Sequence, residues 1–175
     1  MKILIAYASK TGTAKKCAEY LAEQLKNQQV TCVDLEHRTP DPADYDVVVL
    51  GSSVRFGKIR PALKRYLEQH EEILRQMPHG LFLCCGFGHD FEEYAKRQFA
   101  AELRETSFAT MNFGGYLKLE KPSLWERYYL YRVRVAIRES DFDDYEFTPA
   151  LPSLLPENIS RMATAVREAL RELKR

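Results

Sequence analysis

Short, unbroken apolar runs alternate along the chain with stretches whose apolar positions recur every three or four residues. Ile3-Leu4-Ile5-Ala6-Tyr7 is the first run, and Val30 to Leu35, Asp46-Val47-Val48-Val49-Leu50-Gly51 and Leu81-Phe82-Leu83-Cys84-Cys85-Gly86 follow it. Aliphatic and β-branched runs of this length mark strands buried on both faces of a parallel sheet. A fifth strand is expected within residues 109–119, interrupted by Gly114-Gly115. Between the first two runs, Ala14, Cys17, Ala18, Leu21, Ala22 and Leu25 share one helical face, while Lys15, Lys16, Glu19, Glu23 and Lys26 take the other. Residues 40–45 read as an irregular or short helical connector. Pro61 suits the first turn of a helix carrying Leu63, Tyr66 and Leu67, with Ile73, Leu74 and Met77 continuing past a polar stretch. Further helices are predicted over residues 91–103 and 156–173. Strands and helices in this alternation imply a doubly wound α/β sandwich of three layers, its five parallel strands in the order 2-1-3-4-5.

Residues 122–155 exceed what such a fold needs. Tyr129, Tyr131, Val133, Val135 and Ile137 alternate as in a strand, yet Leu124, Tyr128, Tyr131 and Val135 also align on a helix. Helix is favoured because Arg127, Arg134 and Arg138 then share a polar face. Trp125, Tyr128, Tyr129 and Tyr131 are expected to pack that helix on the core, with a surface for a flat ring ligand as their other use, and residues 141–152 read as an acidic, proline-containing loop.

At 175 residues and 45% hydrophobic, the chain can bury one core, and a single domain over residues 1–175 is expected, with the basic and aromatic segment as an addition to it. A net charge of +1 offers no bulk attraction to nucleic acid or to an anionic membrane. Cys17, Cys32, Cys84 and Cys85 form no C-x-x-C pair and have no histidine at zinc spacing, so reduced core thiols are expected and no metal. Met1-Lys2 leads directly into the first strand, which leaves no room for a signal peptide, and no apolar run reaches membrane-spanning length. A cytoplasmic protein is the resulting expectation.

The first strand breaks into Ala8-Ser9-Lys10-Thr11-Gly12-Thr13 before the first helix begins. A hydroxyl-rich turn there collects unpaired helix N–H groups, the positive end of the helix dipole and side-chain donors around one point, a pocket for a phosphate. A lone Gly12 fits neither the Walker loop nor the G-x-G-x-x-G dinucleotide fingerprint. In a sheet of this order, ligands settle where the winding reverses, beyond the strand ends. That brings the first loop beside Ser52, Ser53, Val54, Arg55, Phe56 and Gly57, and beside Gly86, Phe87, Gly88 and His89. Glycines that admit backbone amides to a ring edge, with Phe56 or Phe87 to stack on its face, suit a flat heteroaromatic group.

Ser9-Lys10-Thr11-Gly12-Thr13-Ala14 resembles the phosphate loop of flavodoxins, although Ala14 stands where most of them have a hydroxyl. The resemblance implies FMN, held by Ser9 to Ala14 at its phosphate and by the other two loops at its ring. Gly51-Ser52-Ser53-Val54-Arg55-Phe56-Gly57-Lys58, with the added segment around Pro122, Trp125 and Arg127, is similar to the flavodoxin-like protoporphyrinogen IX dehydrogenases that reduce menaquinone. Arg132, Arg134 and Arg138 interrupt that segment's apolar run. The similarity implies an oxidoreductase acting on a reduced organic substrate, such as a porphyrinogen, with a quinone or redox protein as acceptor and a peripheral contact at the inner membrane face. A non-catalytic electron carrier and an interaction module that has lost FMN remain open beside it.

A flavin reduced by two electrons is anionic, and the familiar electron-carrying flavodoxins are strongly acidic, whereas Lys10, Arg55, Lys58, Arg60 and His89 are expected around this site. One unit charge at ~4 Å in an effective dielectric of ~20 is worth about 4 kcal/mol. Such a set favours a two-electron dehydrogenase over a low-potential shuttle. Arg55 is read as facing the ligand, with a salt bridge to Asp90 or Glu92 as its other use, and His89 as a flavin contact or a cap of the following helix. No catalytic side chain is assigned, since the chemistry would be the cofactor's.

Overall fold

A computed structural model describes residues 1–55, 57–85, 91–115 and 154–175. Its strands, β1 (Lys2–Ala8), β2 (Gln29–Asp34), β3 (Val47–Ser53), β4 (His79–Cys84) and β5 (Ala109–Asn112), form one sheet in the order β2-β1-β3-β4-β5. Every pairing is parallel, with Ile5 between Cys32 and Val49 and Leu50 beside Leu81. The winding therefore reverses between β1 and β3, as the alternation of runs and helices requires.

Side chains leave a strand on alternate faces, so a run buried on both sides must be apolar throughout. Ile3, Ile5, Tyr7, Val47 and Val49 pack against α1 (Thr13–Gln24) and α5 (Pro156–Glu172) on one face. Leu4, Ala6, Ala8, Val48 and Leu50 meet α2 (Pro61–Gln76), α3 (Phe91–Gln98) and α4 (Ala101–Thr106) on the other. The connector before β3 contains a 3-10 turn, Pro42–Asp44, opened by the Asp41 carboxylate accepting from the Ala43 N–H at 2.9 Å.

Some boundaries differ from the sequence pattern, while α2 continues past the polar stretch as expected. The single helix expected over residues 91–103 is two, parted at Ala100, whose backbone is extended with ψ of 146°. Buried Phe99 anchors the break, and the Arg104 side chain reaches back to the Phe99 carbonyl, so a side-chain donor five residues on replaces the glycine or proline that would have announced it. Helix α2 runs on through the polar stretch, with a kink at His70, whose ring lies 4.6 Å from that of Tyr66. Strand β3 continues through Ser52 and Ser53, because Ser52 pairs with both Ala8 and Leu83.

The described residues belong to one compact unit, Met1–Tyr116 with Pro152–Arg175, and Leu117–Leu151 falls outside that unit. The helix expected around residues 125–137 and the loop at 141–152 lie outside the described residues.

Candidate functional site

At the end of β1 the chain passes through Ser9, Lys10 and Thr11 to Gly12, which adopts φ +81°, ψ −3° as the cap of α1. That left-handed conformation suits glycine, and it turns the first amides of α1 out of the sheet. Among the described residues no side chain caps this helix, and no acidic residue stands in its first turn; the first bond back into it is Lys16 N–H to Gly12 O at 2.9 Å. The Thr11 and Thr13 hydroxyls lie 3.4 Å apart. Ser9 Oγ is buried and has no hydrogen-bond partner among the described residues. An orphaned buried hydroxyl beside uncapped helix amides is a donor set that an anion completes, so the loop fits a phosphate. Ala14 is fully buried in the core formed with α5, so its side chain belongs to packing and its backbone amide is what it can offer a ligand. Lys10 and Thr11 are exposed. Beneath the loop, burial and then the Asp34 carboxylate push the Tyr7 hydroxyl up to about 12.

The second loop is closed by backbone bonds exchanged between Arg55 and Lys58, at 2.8 and 3.0 Å, around Gly57 with φ +72°. Gln98, at the end of α3, holds that turn from outside: its amide donates to Gly57 O at 2.9 Å and accepts from Ile59 N–H at 3.1 Å. The Ser52 hydroxyl is fully buried, donating toward the Ala8 and Ser53 carbonyls and accepting from Arg60 N–H at 3.0 Å. Its oxygen thus fastens β1, β3 and the start of α2. Val54 N–H donates to Cys84 O at 3.0 Å, tying the second loop to the root of the third. Arg60 pairs with Glu36, Nη2 to Oε1 at 2.8 Å, so one of the cations expected at the site has its charge matched. Phe56 lies outside the described residues.

Gly86, Phe87, Gly88 and His89 also lie outside the described residues, as does Asp90, an expected partner of Arg55. Cys85, which precedes them, is described. Asn112, at the end of β5, accepts from Cys85 N–H at 3.2 Å and from Gly114 N–H at 2.9 Å through one side-chain oxygen. Its own carbonyl accepts from Asn158 of α5 at 2.8 Å. Gln98, Asn112 and Asn158 escaped the reading of the sequence. The only signal for Asn112 is an amide where the pattern calls for an apolar strand residue, and Gln98 had none. Among the described residues no three metal-ligating side chains gather, and no helix is long and apolar enough to cross a membrane.

A parallel sheet wound in this order, with a glycine-capped, hydroxyl-rich turn between β1 and α1 at the reversal, defines an α/β protein of the flavodoxin type. The flavodoxin domain family matches residues 4–143, and the chain belongs to it. Protoporphyrinogen IX dehydrogenase [quinone] of Escherichia coli (strain K12) is 33% identical over 85 residues, 47% of this chain and 47% of that protein. The protein of the same name from Leishmania major is 34% identical over 85 residues, 46% of this chain and 37% of that one. The matches thus span half or less of these curated relatives. Among solved structures, oxidised flavodoxin 2 from Bacillus cereus superposes with a TM-score of 0.53 at 18% identity, covering 96% of this chain and 99% of that one. A flavodoxin from the domain Archaea gives 0.50 at 18% identity, covering 79% and 97%. These likenesses establish the fold.

Proposed function

We propose that this flavodoxin-family chain is an FMN-dependent oxidoreductase. It would take electrons from a reduced organic substrate, a porphyrinogen as in the names of its relatives, and pass them to a quinone or redox-protein acceptor. The observation that carries the FMN reading is the buried, unpartnered Ser9 hydroxyl beside the uncapped start of α1. Partial identity to the two dehydrogenases supports the substrate class.

Ser9, Thr11 and Thr13 would hold the phosphate with their hydroxyls, and Gly12, Thr13 and Ala14 with backbone amides, while Lys10 adds charge from the exposed side. Residues Ser53 to Gly57 and Gly86 to His89 would flank the ring. Ser52 serves that arrangement through its framework bonds. Bound flavin supplies reversible electron and hydride chemistry; the chain's part is to hold and orient it and to fix the loops against it. A cytoplasmic location belongs to this proposal. The peripheral contact expected at the inner membrane face has no support among the described residues.

The test is the absorption spectrum of freshly purified protein, followed by fluorescence titration of the apoprotein with FMN and anaerobic addition of protoporphyrinogen with a menaquinone analogue. Flavin bands, quenching on binding and turnover are expected. A colourless protein that fails to quench FMN overturns the cofactor; bound FMN without turnover leaves an electron carrier.

A further inference from the structure

Cys17 lies one turn into α1 and Cys84 ends β4, 67 residues apart in sequence, yet their sulfurs are 3.6 Å from each other, with the Cys84 thiol directed at Cys17. Both are free and buried in the same core cluster, beside Phe82 and Phe113. We propose that Cys17 and Cys84 form an oxidisable dithiol, which a hydroperoxide or another small two-electron oxidant converts to a disulfide joining the start of α1 to the end of β4.

A disulfide needs sulfurs ~2.05 Å apart, so the pair must close by roughly 1.5 Å, within reach of modest side-chain rotation and backbone shift. Polarity within the pair sets the order of events. The hydrogen bond from Cys84 pulls the Cys17 thiol below its ordinary range, while that same bond and burial push Cys84 up. The Cys17 sulfur attacks the hydroperoxide, the O–O bond breaks, and an alcohol (water from hydrogen peroxide) leaves with the thiol proton, giving a sulfenic acid. The Cys84 sulfur then attacks that sulfur; the S–S bond forms and water departs with the second proton. Two thiols lose two electrons and two protons, and the hydroperoxide is reduced to alcohol and water. Burial excludes bulky thiol reagents and leaves small oxidants as the class that reaches the pair. Cys32, on edge strand β2, is pushed up to about 11 by burial and then by Glu19, which makes it a poorer nucleophile.

The cross-link would tie the helix that follows the first loop to the end of β4, whether or not the flavin reading holds. The 175-residue chain as isolated is treated with hydrogen peroxide, alkylated after denaturation, and mapped by non-reducing peptide mass spectrometry. Expected are a Cys17–Cys84 linked peptide, loss of two hydrogens from the intact mass, reversal by dithiothreitol and a higher melting temperature. The link persists in Cys85→Ala and vanishes in Cys17→Ala. Continued alkylation of both thiols, separate oxidation to sulfinic acids, or a link through Cys32 or Cys85 overturns the proposal. The wild-type map decides the matter even if a variant fails to fold.

Discussion

Replacing Gln98 by alanine separates the loop's tethers from its own chemistry. The Gln98 amide spends both of its described bonds on the second loop, donating to Gly57 O at 2.9 Å and accepting from Ile59 N–H at 3.1 Å. Each bond carries a net worth of about 1 kcal/mol, and the two loop groups it leaves behind are only partly reached by water. Loss of both therefore frees the loop by ~1–2 kcal/mol, which in a binding equilibrium is roughly a 5- to 30-fold weakening. Fluorescence titration with FMN should show that loss in Gln98→Ala. Urea unfolding of the apoprotein reports separately how much of it is global, since a loop that opens locally weakens binding and leaves the unfolding midpoint in place. Gln98→Glu sharpens the test: it keeps an acceptor for Ile59 N–H but sets a carboxylate against the Gly57 carbonyl, and should bind FMN no better than the alanine variant. Affinity and midpoint both matching wild type in Gln98→Ala would refute the reasoning, because the amide would then hold nothing.

Ser9→Ala removes a buried hydroxyl that has no described partner, so the thermal midpoint of the apoprotein should hold or rise, while FMN affinity falls about tenfold or more for a lost bond to a charged phosphate. Gly51→Ala places a Cβ 2.3 Å from ring carbons of Phe82, itself stacked at 4.4 Å on Phe113. Overpacking of ~3 kcal/mol is expected, read as a lowered urea midpoint or loss of soluble protein. Cys32 rises from 9.0 to about 11 on folding, so between those values the folded chain keeps a proton that the unfolded chain has released, and stability falls as pH climbs through that window. In Cys32→Ala the fall between pH 9 and 11 should flatten in urea titrations, and an unchanged slope would refute the assignment.

The sheet order and the place of the first loop could be read from the chain because they depend on short-range patterns. An apolar run such as Val47 to Leu50 can be satisfied only by burial on both faces, and Gly12 before an amphipathic stretch announces a helix start with bare amides. What escaped depends on pairs distant in sequence. Gln98 meets residues 39 and 41 positions away, and Asn112 meets Cys85 across 27. A polar residue on a helix or at a strand end looks the same in sequence whether it faces water or a loop backbone. The break at Ala100 was hidden for a different, local reason, since the Arg104 side chain answers the Phe99 carbonyl five residues back and no glycine or proline marks the helix end.

Charge is where the sequence-level argument needs the largest revision. Five cations were expected to favour an anionic reduced flavin, at about 4 kcal/mol for a unit charge held ~4 Å away in a partly shielded site. Arg60 is matched by Glu36, and Lys10 and Lys58 are exposed. Exposed charges work against a dielectric nearer that of water, which lowers each contribution toward ~1 kcal/mol and lets 0.1 M salt screen it within about 10 Å. The α1 amides and the Ser9 hydroxyl are fixed by the fold and need no side-chain ordering to meet an anion. The proposed preference for a phosphate would therefore rest mainly on that backbone geometry and should survive salt, whereas any bias of the lysines toward a reduced ring should fade as ionic strength rises.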